Sequence, residues 1–213
     1  MSDSNQIVII DYKMGNLRSV QKAFEKMGSE AIITNDKKVI RNASKIVLPG
    51  VGSFKDGMTQ LANLGLIDIL NEEIIKNKKP FLGICLGMQL ISNKSYENGE
   101  TVGLGWINAE VIKLDLKDIN KKLKIPHVGW NNVSFKNNNI LFQGIENNSD
   151  FYFVHSFHFK SNNDVVSSTT DYGIDFVSSV NKDNIYAFQF HPEKSQEVGL
   201  KIIKNFIDME PEC

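Results

Sequence analysis

Short runs of consecutive apolar residues constrain the fold of this chain more than any other feature. Residues Ile7–Ile10, 46–48 and 81–84 lack the polar–apolar alternation of a strand that faces water on one side. Such runs predict strands buried on both faces, as in a parallel sheet covered by helices. Apolar residues at helical spacing follow in 17–27 and 66–76. The first half therefore predicts strands that alternate with helices.

The second half of the chain predicts mostly strands. After Trp106, short apolar segments are separated by clusters of Asn, Asp, Lys and Gly, such as 137–139 and 147–150, which are typical of turns. Residues 185–190 form another apolar strand, and a closing helix begins near Ser195. We find no repeat and no linker. We therefore predict a single α/β domain over residues 1–213, with a mostly parallel central sheet, helices on both faces and an additional β-rich second half.

Composition excludes several classes of protein. The formal net charge of −1 gives no basic surface for nucleic acid or an anionic membrane. The polar N-terminus lacks the regions of a signal peptide, and no apolar run is long enough to cross a bilayer, so we expect a cytoplasmic protein. The only cysteines are Cys85 and the terminal Cys213. A structural disulfide is not expected, and Cys85 is predicted to be a free thiol.

The pentapeptide Gly83-Ile84-Cys85-Leu86-Gly87 lies where a buried strand passes into a helix. A nucleophile on such a tight turn needs glycine neighbours, because larger side chains would meet nearby backbone. The start of the helix favours the thiolate, and the N–H of Leu86 would face an oxyanion on the substrate. Taken alone, the pentapeptide also fits a small buried cysteine in a strand.

His191-Pro192-Glu193 supplies a base and its orienting carboxylate. Residues two apart in an extended segment point the same way, so Glu193 is predicted to reach His191 and fix its tautomer. The purely structural alternative is that these residues form a turn before a helix that starts at Ser195. The other histidines, His127, His155 and His158, show no metal-ligand spacing, and we predict no metal and no cofactor.

Pro49-Gly50-Val51-Gly52 follows the third predicted strand, beside the expected position of Cys85. Two glycines around Val51 would let its peptide unit turn, so that its N–H could aim at the second oxyanion position. Taken alone, this is an ordinary glycine-rich loop. It is not a phosphate-binding loop, because the Gly-Lys-Ser/Thr ending is missing.

Together these blocks resemble the class I glutamine amidotransferases of the Cys-His-Glu triad type. Residues 49–52, 83–89 and 191–193 match the three signature blocks of the family in order and spacing. More narrowly, residues 10–17, 126–131 and 152–156 resemble the glutaminase subunits of imidazole glycerol phosphate synthases. The resemblance extends over residues 7–207.

The resemblance implies that Cys85 attacks the side-chain amide of glutamine, that His191 transfers the proton and that Glu193 orients His191. The N–H groups of Val51 and Leu86 would form the oxyanion hole. The positions that match glutamine-binding residues of the family are Gly50, Gly52, Gln89, Glu97, Ser156 and Phe157. A carboxylate such as Glu97 suits the α-ammonium group of the substrate.

The resemblance also implies a partner, a (β/α)8 cyclase subunit that uses the ammonia to make imidazole glycerol phosphate in histidine biosynthesis. Ammonia would leave through a face shared with this partner. The positions assigned to that face are Asn16, His127, Trp130, Asn131 and Tyr152.

Three positions depart from the usual pattern of the family. Lys13 replaces a common glycine, Val128 a methionine and Phe157 a tyrosine. Lys13 and Val128 are expected at the partner face, so a second hypothesis remains open: ammonia for a nucleotide-sugar amidotransferase of surface-polysaccharide synthesis. A third hypothesis is a stand-alone γ-glutamyl hydrolase, but this function does not explain the sequence block at 126–131. A non-catalytic binding subunit is disfavoured by the intact Cys85.

Overall fold

The computed structural model describes residues 6–116, 123–136, 139–161 and 163–210. The asparagines at 137 and 138 and Cys213 lie outside the described residues. The helices are α1 (Leu17–Lys26), α2 (Lys37–Asn42), α3 (Phe54–Asn63), α4 (Ile67–Leu70, continued by a π-helical segment Asn71–Lys76), α5 (Leu86–Leu90) and α6 (Gln196–Asp208). The strands are β1 (Ile7–Ile10), β2 (Ala31–Thr34), β3 (Lys45–Gly50), β4 (Phe81–Cys85), β5 (Lys94–Ser95), β6 (Thr101–Val102), β7 (Ala109–Lys113), β8 (His127–Asn132), β9 (Ser134–Phe135), β10 (Asp150–His155), β11 (Phe157–Ser161), β12 (Val166–Asp171), β13 (Asp175–Lys182) and β14 (Ile185–Phe188).

One large sheet organises the molecule, with strand order β2-β1-β3-β4-β14-β13-β11-β7-β5-β6. The five strands from β2 to β14 pair in parallel, and the pairs from β14 to β7 are antiparallel. The predicted α/β class, with a mostly parallel centre and a β-rich second half, is confirmed. Because β3, β4 and β14 are neighbours, the segments that follow their carboxyl ends meet at one edge of the sheet.

The core lies on both faces of this sheet, as the continuous apolar runs predict. Alternate residues of β1 point to opposite faces of the sheet. Val8 and Ile10 pack in one apolar cluster, and Ile7 and Ile9 pack in the other. Phe24 of α1 and Phe206 of α6 cover the second side, with their rings 6.4 Å apart. Across the described ranges, none of the helices has both the length and the apolar character to cross a membrane.

The ends of α1 follow from its sequence. Asn16 caps the helix, because its side chain accepts a hydrogen bond from the N–H of Ser19. Gly28 follows the helix with φ of +82°, a left-handed conformation that favours glycine. The N-terminal cap places Asn16 at the carboxyl end of β1, close to the edge of the sheet that carries the site.

Two elements differ from the expectation. Helix α2 was not predicted, because a six-residue helix with two apolar residues gives no measurable helical period. The strand expected over 185–190 ends at Phe188. The N–H of Gln189 still binds the Ser178 carbonyl of β13, but the chain then turns away and the N–H of His191 binds the carbonyl of Tyr152. Strands β8 and β10 form a separate antiparallel ribbon, which this turn of the chain joins to the main sheet.

Candidate active site

Cys85 lies on a strained bend between β4 and α5. Its φ of 54° and ψ of −105° are unusual for a residue with a side chain, and such a conformation costs about 1–3 kcal/mol. Glycine is required at 87, because a β-carbon there would lie 1.7 Å from the carbonyl oxygen of Leu48. At Gly83 the packing is also tight, since a β-carbon would lie 3.1 Å from Gly87 backbone. The bend predicted for a nucleophile is therefore present.

Two polar groups, one from a side chain and one from the backbone, contact the sulfur of Cys85. Gln189 Nε2 donates to Sγ at 3.7 Å, and the Val154 carbonyl oxygen lies 3.9 Å from it. Gln189 is fully buried and accepts a hydrogen bond from Gln89 Nε2 at 3.0 Å. Gln189 was not predicted to lie at the site. Its position two residues before His191 on an apolar strand was the available signal, because alternate strand residues share a face.

His191 and Glu193 form a buried pair. His191 Nδ1 lies 2.8 Å from Glu193 Oε1, and the two side chains are 3% and 4% exposed. A carboxylate can only accept here, so Nδ1 carries the proton. The contact is confirmed, but the expected extended backbone is wrong: Pro192–Lys194 is a 3-10 turn, and this turn brings Glu193 to the ring.

The second ring nitrogen of His191 faces Cys85. Within the part of the chain that the structure describes, Nε2 is buried and makes no well-formed hydrogen bond. Burial lowers the pKa of this imidazole, but the charge of the Cys85 thiolate and the contact with Glu193 outweigh burial and raise its pKa to about 10. The arrangement therefore places a protonated imidazole beside the sulfur of Cys85, where it can act as an acid.

The loop at 49–52 lies beside Cys85. Gly50 is the last residue of β3 and pairs in register with Cys85. Val51 is 41% exposed, and Gly52 has φ of +106°. Gly50 cannot carry a side chain, because a β-carbon there would lie 1.9 Å from Tyr12 Oη. The loop thus combines close packing under Gly50 with an open surface at Val51.

A pocket of about 250 Å³ opens onto Cys85. Val51 and Leu86 line this pocket. Of the six residues assigned to glutamine binding, Gly50 is not in the lining, and the other five are: Gly52, Gln89, Glu97, Ser156 and Phe157. Pro126, Val154 and His155 complete the wall. A larger cavity of about 760 Å³ is lined by other residues, among them Phe135 and Phe142, and includes neither Cys85 nor His191.

Backbone groups orient the polar side chains of the pocket. Glu97 Oε2 accepts a hydrogen bond of 2.7 Å from the N–H of Phe54, the first residue of α3, where the helix dipole favours a carboxylate. Gln89 Nε2 donates to the Phe157 carbonyl at 3.0 Å. This use of the backbone explains why phenylalanine is acceptable at 157 in place of tyrosine.

The expected partner face is partly exposed. Trp130 is 47% exposed and lies edge-on to Tyr152 at 6.0 Å, and Asn16 is exposed beside the loop after β1. Asn131 is half-buried and donates to the Asp171 carbonyl. His127 differs from these residues, because it is buried and only 2% exposed.

His127 instead belongs to a buried chain of hydrogen bonds. His155 Nδ1 donates to the Phe157 carbonyl at 2.9 Å, and His127 Nδ1 lies 3.0 Å from His155 Nε2. His127 stacks between Phe153 and Tyr172 at 4.9 and 3.9 Å. Burial lowers the pKa of His127 to about 4 and that of His155 to about 3, so both rings are neutral near pH 7.

Within residues 6–116, 123–136, 139–161 and 163–210, no group of three or more His, Cys, Asp or Glu side chains is placed to hold a metal ion. The candidate reacting groups of the site are the side chains of Cys85, His191 and Glu193 and the backbone around them. Together with the α/β sheet, they form the arrangement expected of a cysteine-dependent hydrolase.

The family model for "Glutamine amidotransferase class-I" matches residues 8–209. The chain belongs to this family of enzymes. The imidazole glycerol phosphate synthase subunit HisH 1 of Campylobacter jejuni strain RM1221 is 53% identical over 94% of this chain and 98% of its own length. The subunit HisH of Aquifex aeolicus is 50% identical over 93% and 94%.

Solved structures share the fold at low sequence identity. The structure of PurLQS from Thermotoga maritima has a TM-score of 0.71 at 18% identity and covers 95% of this chain and 97% of its own. A putative GMP synthase protein from Thermoplasma acidophilum has a TM-score of 0.70 at 22% identity, with 95% and 92% covered. At these identities the similarity concerns the fold alone.

Proposed function

We propose that this chain is the glutaminase subunit of an imidazole glycerol phosphate synthase, which hydrolyses L-glutamine and delivers the ammonia to a partner subunit. The observation that carries the proposal is the bend at Cys85, which opens onto a pocket of about 250 Å³ and has the His191–Glu193 pair behind its sulfur. Relatives about half identical over nearly the whole chain carry the name of that synthase. The full chain acts as one glutaminase domain.

The reaction begins with attack of the Cys85 thiolate on the side-chain carbonyl carbon of glutamine. The N–H groups of Leu86 and Val51 stabilise the oxyanion that forms. The His191 imidazolium gives its proton to the leaving nitrogen, and ammonia departs with formation of a γ-glutamyl thioester. Neutral His191 then takes a proton from water, which attacks the thioester and releases glutamate. Glu193 holds His191 in the required tautomer.

The pocket recognises the ends of glutamine. Glu97 binds the α-ammonium group, because its carboxylate is fixed at the start of α3. Gly52, Gln89 and the backbone at Ser156 and Phe157 complete the contacts along the wall. Gly50 contributes indirectly to glutamine binding, because its pairing with Cys85 keeps the loop at 49–52 close to the pocket.

The partner is a (β/α)8 cyclase subunit that docks on the face with Asn16, Trp130 and Tyr152. Exposed aromatic residues such as Trp130 are typical anchors of protein interfaces. The product of the complex would be imidazole glycerol phosphate, a precursor of histidine. Asn131 stabilises this face, because its Nδ2 donates to the Asp171 carbonyl at 2.9 Å and lies 3.5 Å from Nε2 of the buried His127.

The proposed function is tested by isolating the partner and comparing synthase activity with glutamine and with ammonium as the nitrogen source. The chain is used to isolate the partner, and the complex is assayed for synthase product with glutamine or with ammonium. Cys85→Ala should abolish the use of glutamine and leave the ammonium-dependent rate and the docking unchanged, because only the nucleophile is lost. A glutamine-dependent rate that survives Cys85→Ala would refute the assignment of the nucleophile.

A second candidate acceptor is a nucleotide-sugar amidotransferase. Lys13 and Val128, two departures from the usual family pattern, are exposed, and Val128 is 54% exposed beside Trp130. Both can therefore alter partner choice without touching the glutaminase site. The assay separates the two acceptors, because each synthase substrate is supplied in turn. Product from a sugar nucleotide but not from the ribulosyl phosphate intermediate would favour this alternative.

A further inference from the structure

Tyr12 carries a buried hydroxyl that has no assigned role. The residue follows β1 and is fully buried. Its Oη has no hydrogen-bond partner within the described part of the chain. Buried polar groups without partners are rare in folded proteins and call for a physical reason. Removal of a hydroxyl from such a position ordinarily stabilises a protein, so its presence here points to a state in which it is bonded.

The hydroxyl lies against the proposed oxyanion loop. A β-carbon on Gly50 would be 1.9 Å from Tyr12 Oη, so the oxygen occupies the space directly over the Gly50 α-carbon. The following residues pack on the same loop: a β-carbon on Gly15 would be 3.3 Å from Val51 N, and Met14 Cε approaches Gly52. Burial, and then the charge of Cys85, raise the pKa of Tyr12, so the phenol keeps its proton and can donate.

The geometry of one peptide unit connects this hydroxyl to the oxyanion. The Gly50 carbonyl and the Val51 N–H belong to the same planar trans unit and point in opposite directions. When the unit turns to aim the N–H at the substrate, the carbonyl oxygen turns to the other side and loses its previous surroundings. A buried carbonyl needs a donor there.

We propose that Tyr12 is a positioning residue whose hydroxyl donates to the Gly50 carbonyl when the Gly50–Val51 peptide turns, and so holds the Val51 N–H in the oxyanion hole. The inference rests on the proposed glutaminase function. In the present structure Tyr12 Oη has no partner among the described residues, and in the turned conformation it donates to the Gly50 carbonyl. Tyr12 therefore stabilises the turned conformation relative to the present one.

Tyr12→Phe tests the proposal, because it removes one oxygen and keeps the ring. In the complex with the synthase partner, kcat for glutamate formation should fall about tenfold, which corresponds to about 1.4 kcal/mol, with KM for glutamine unchanged. The midpoint of thermal unfolding of the chain alone should rise by about 2–4 °C. A merely structural hydroxyl would not give these two effects with opposite sign.

Alkylation of Cys85 by iodoacetamide supplies a second measurement. This displacement forms no oxyanion, so its rate should be the same in wild type and Tyr12→Phe. Tyr96→Phe is the matched control: Tyr96 Oη lies 3.3 Å from Glu110 Oε1 on the surface, and Tyr96 is not among the residues that line the pocket. Its kcat should equal that of the wild type.

The outcomes separate the hypotheses. A kcat of Tyr12→Phe within twofold of wild type would overturn the proposal, as would a parallel loss of iodoacetamide reactivity, which would place the effect on the thiolate. An unchanged unfolding midpoint would show that a water molecule already bonds the hydroxyl and would also overturn it. If the wild-type complex itself forms no glutamate, the proposed function fails, and this assignment fails with it.

Discussion

Glu193→Gln isolates the charge that orients His191. The substitution keeps the size and shape of the side chain and removes only its negative charge. The bond that it weakens joins His191 Nδ1 and Glu193 Oε1 at 2.8 Å, between side chains 3% and 4% exposed. A buried hydrogen bond to a charged group contributes about 1.5–3 kcal/mol. If this stabilisation is fully used when the imidazolium forms, kcat should fall about 10–150-fold.

The pH profile shows whether the loss comes from the imidazolium. Burial lowers the pKa of His191, whereas Cys85 and Glu193 raise it, with a net value of about 10. In the proposed mechanism protonated His191 is the acid for the leaving nitrogen, so activity should be lost as pH rises through its pKa. Without the carboxylate that pKa falls, and the alkaline limb of kcat should move to lower pH.

The assay measures glutamate release by the partner complex at saturating glutamine from about pH 6 to pH 10, a range that brackets the ordinary and the raised pKa of histidine. Glu197→Gln, an exposed residue in the first turn of α6, is the control and should resemble the wild type. The reasoning is refuted if Glu193→Gln keeps kcat within twofold, or if kcat falls without any displacement of the alkaline limb.

Two further predictions concern stability. Gly87→Ala should cost at least about 1–3 kcal/mol in urea unfolding, because its β-carbon would lie 1.7 Å from the Leu48 carbonyl oxygen; a loss below about 0.5 kcal/mol, the usual range of a surface substitution, would contradict this. Acid should destabilise the protein through His127 and His155, whose folded pKa values of about 4 and about 3 lie below the ordinary histidine value of 6.5. The unfolded chain then binds more protons, so stability decreases as pH falls from about 6.5 toward 4. His127→Phe should show a weaker dependence in urea unfolding between these limits, and an equal dependence would argue against the assignment.

Much of the first half of the fold could be predicted from the sequence. Strands β1, β3 and β4 are continuous apolar runs, and such runs are stable only when both faces are covered. Helix α1 shows its period, its cap at Asn16 and its ending at Gly28. Helix α2 and the end of β14 could not be predicted, because α2 is short and polar and the end of β14 depends on where the chain meets Tyr152.

The residues of the candidate site also fall into those that the sequence predicts and those that it does not. Cys85 and the His191–Glu193 pair are recognisable because each depends on residues within a few positions along the chain, where glycine, proline and charge act locally. The contact of Gln189 with Cys85, the place of Pro126 in the wall of the pocket and the burial of His127 were not predicted. Their places depend on partners far away in sequence, such as the bond from Gln189 to Cys85, which spans 104 positions.

The sequence by itself determined the alternation of strands and helices, the strained turn at Cys85 and the orientation of His191 by Glu193, because short-range sterics and hydrogen bonds fix these features. Only the tertiary structure decided that a carboxylate from the loop at Glu97, the backbone at Phe157 and the loop at Val51 border one pocket. It also decided that His127 is buried and that the hydroxyl of Tyr12 lies over Gly50. Such contacts depend on how β3, β4, β10 and β14 come together, and the pattern of a single segment carries no information about its distant neighbours.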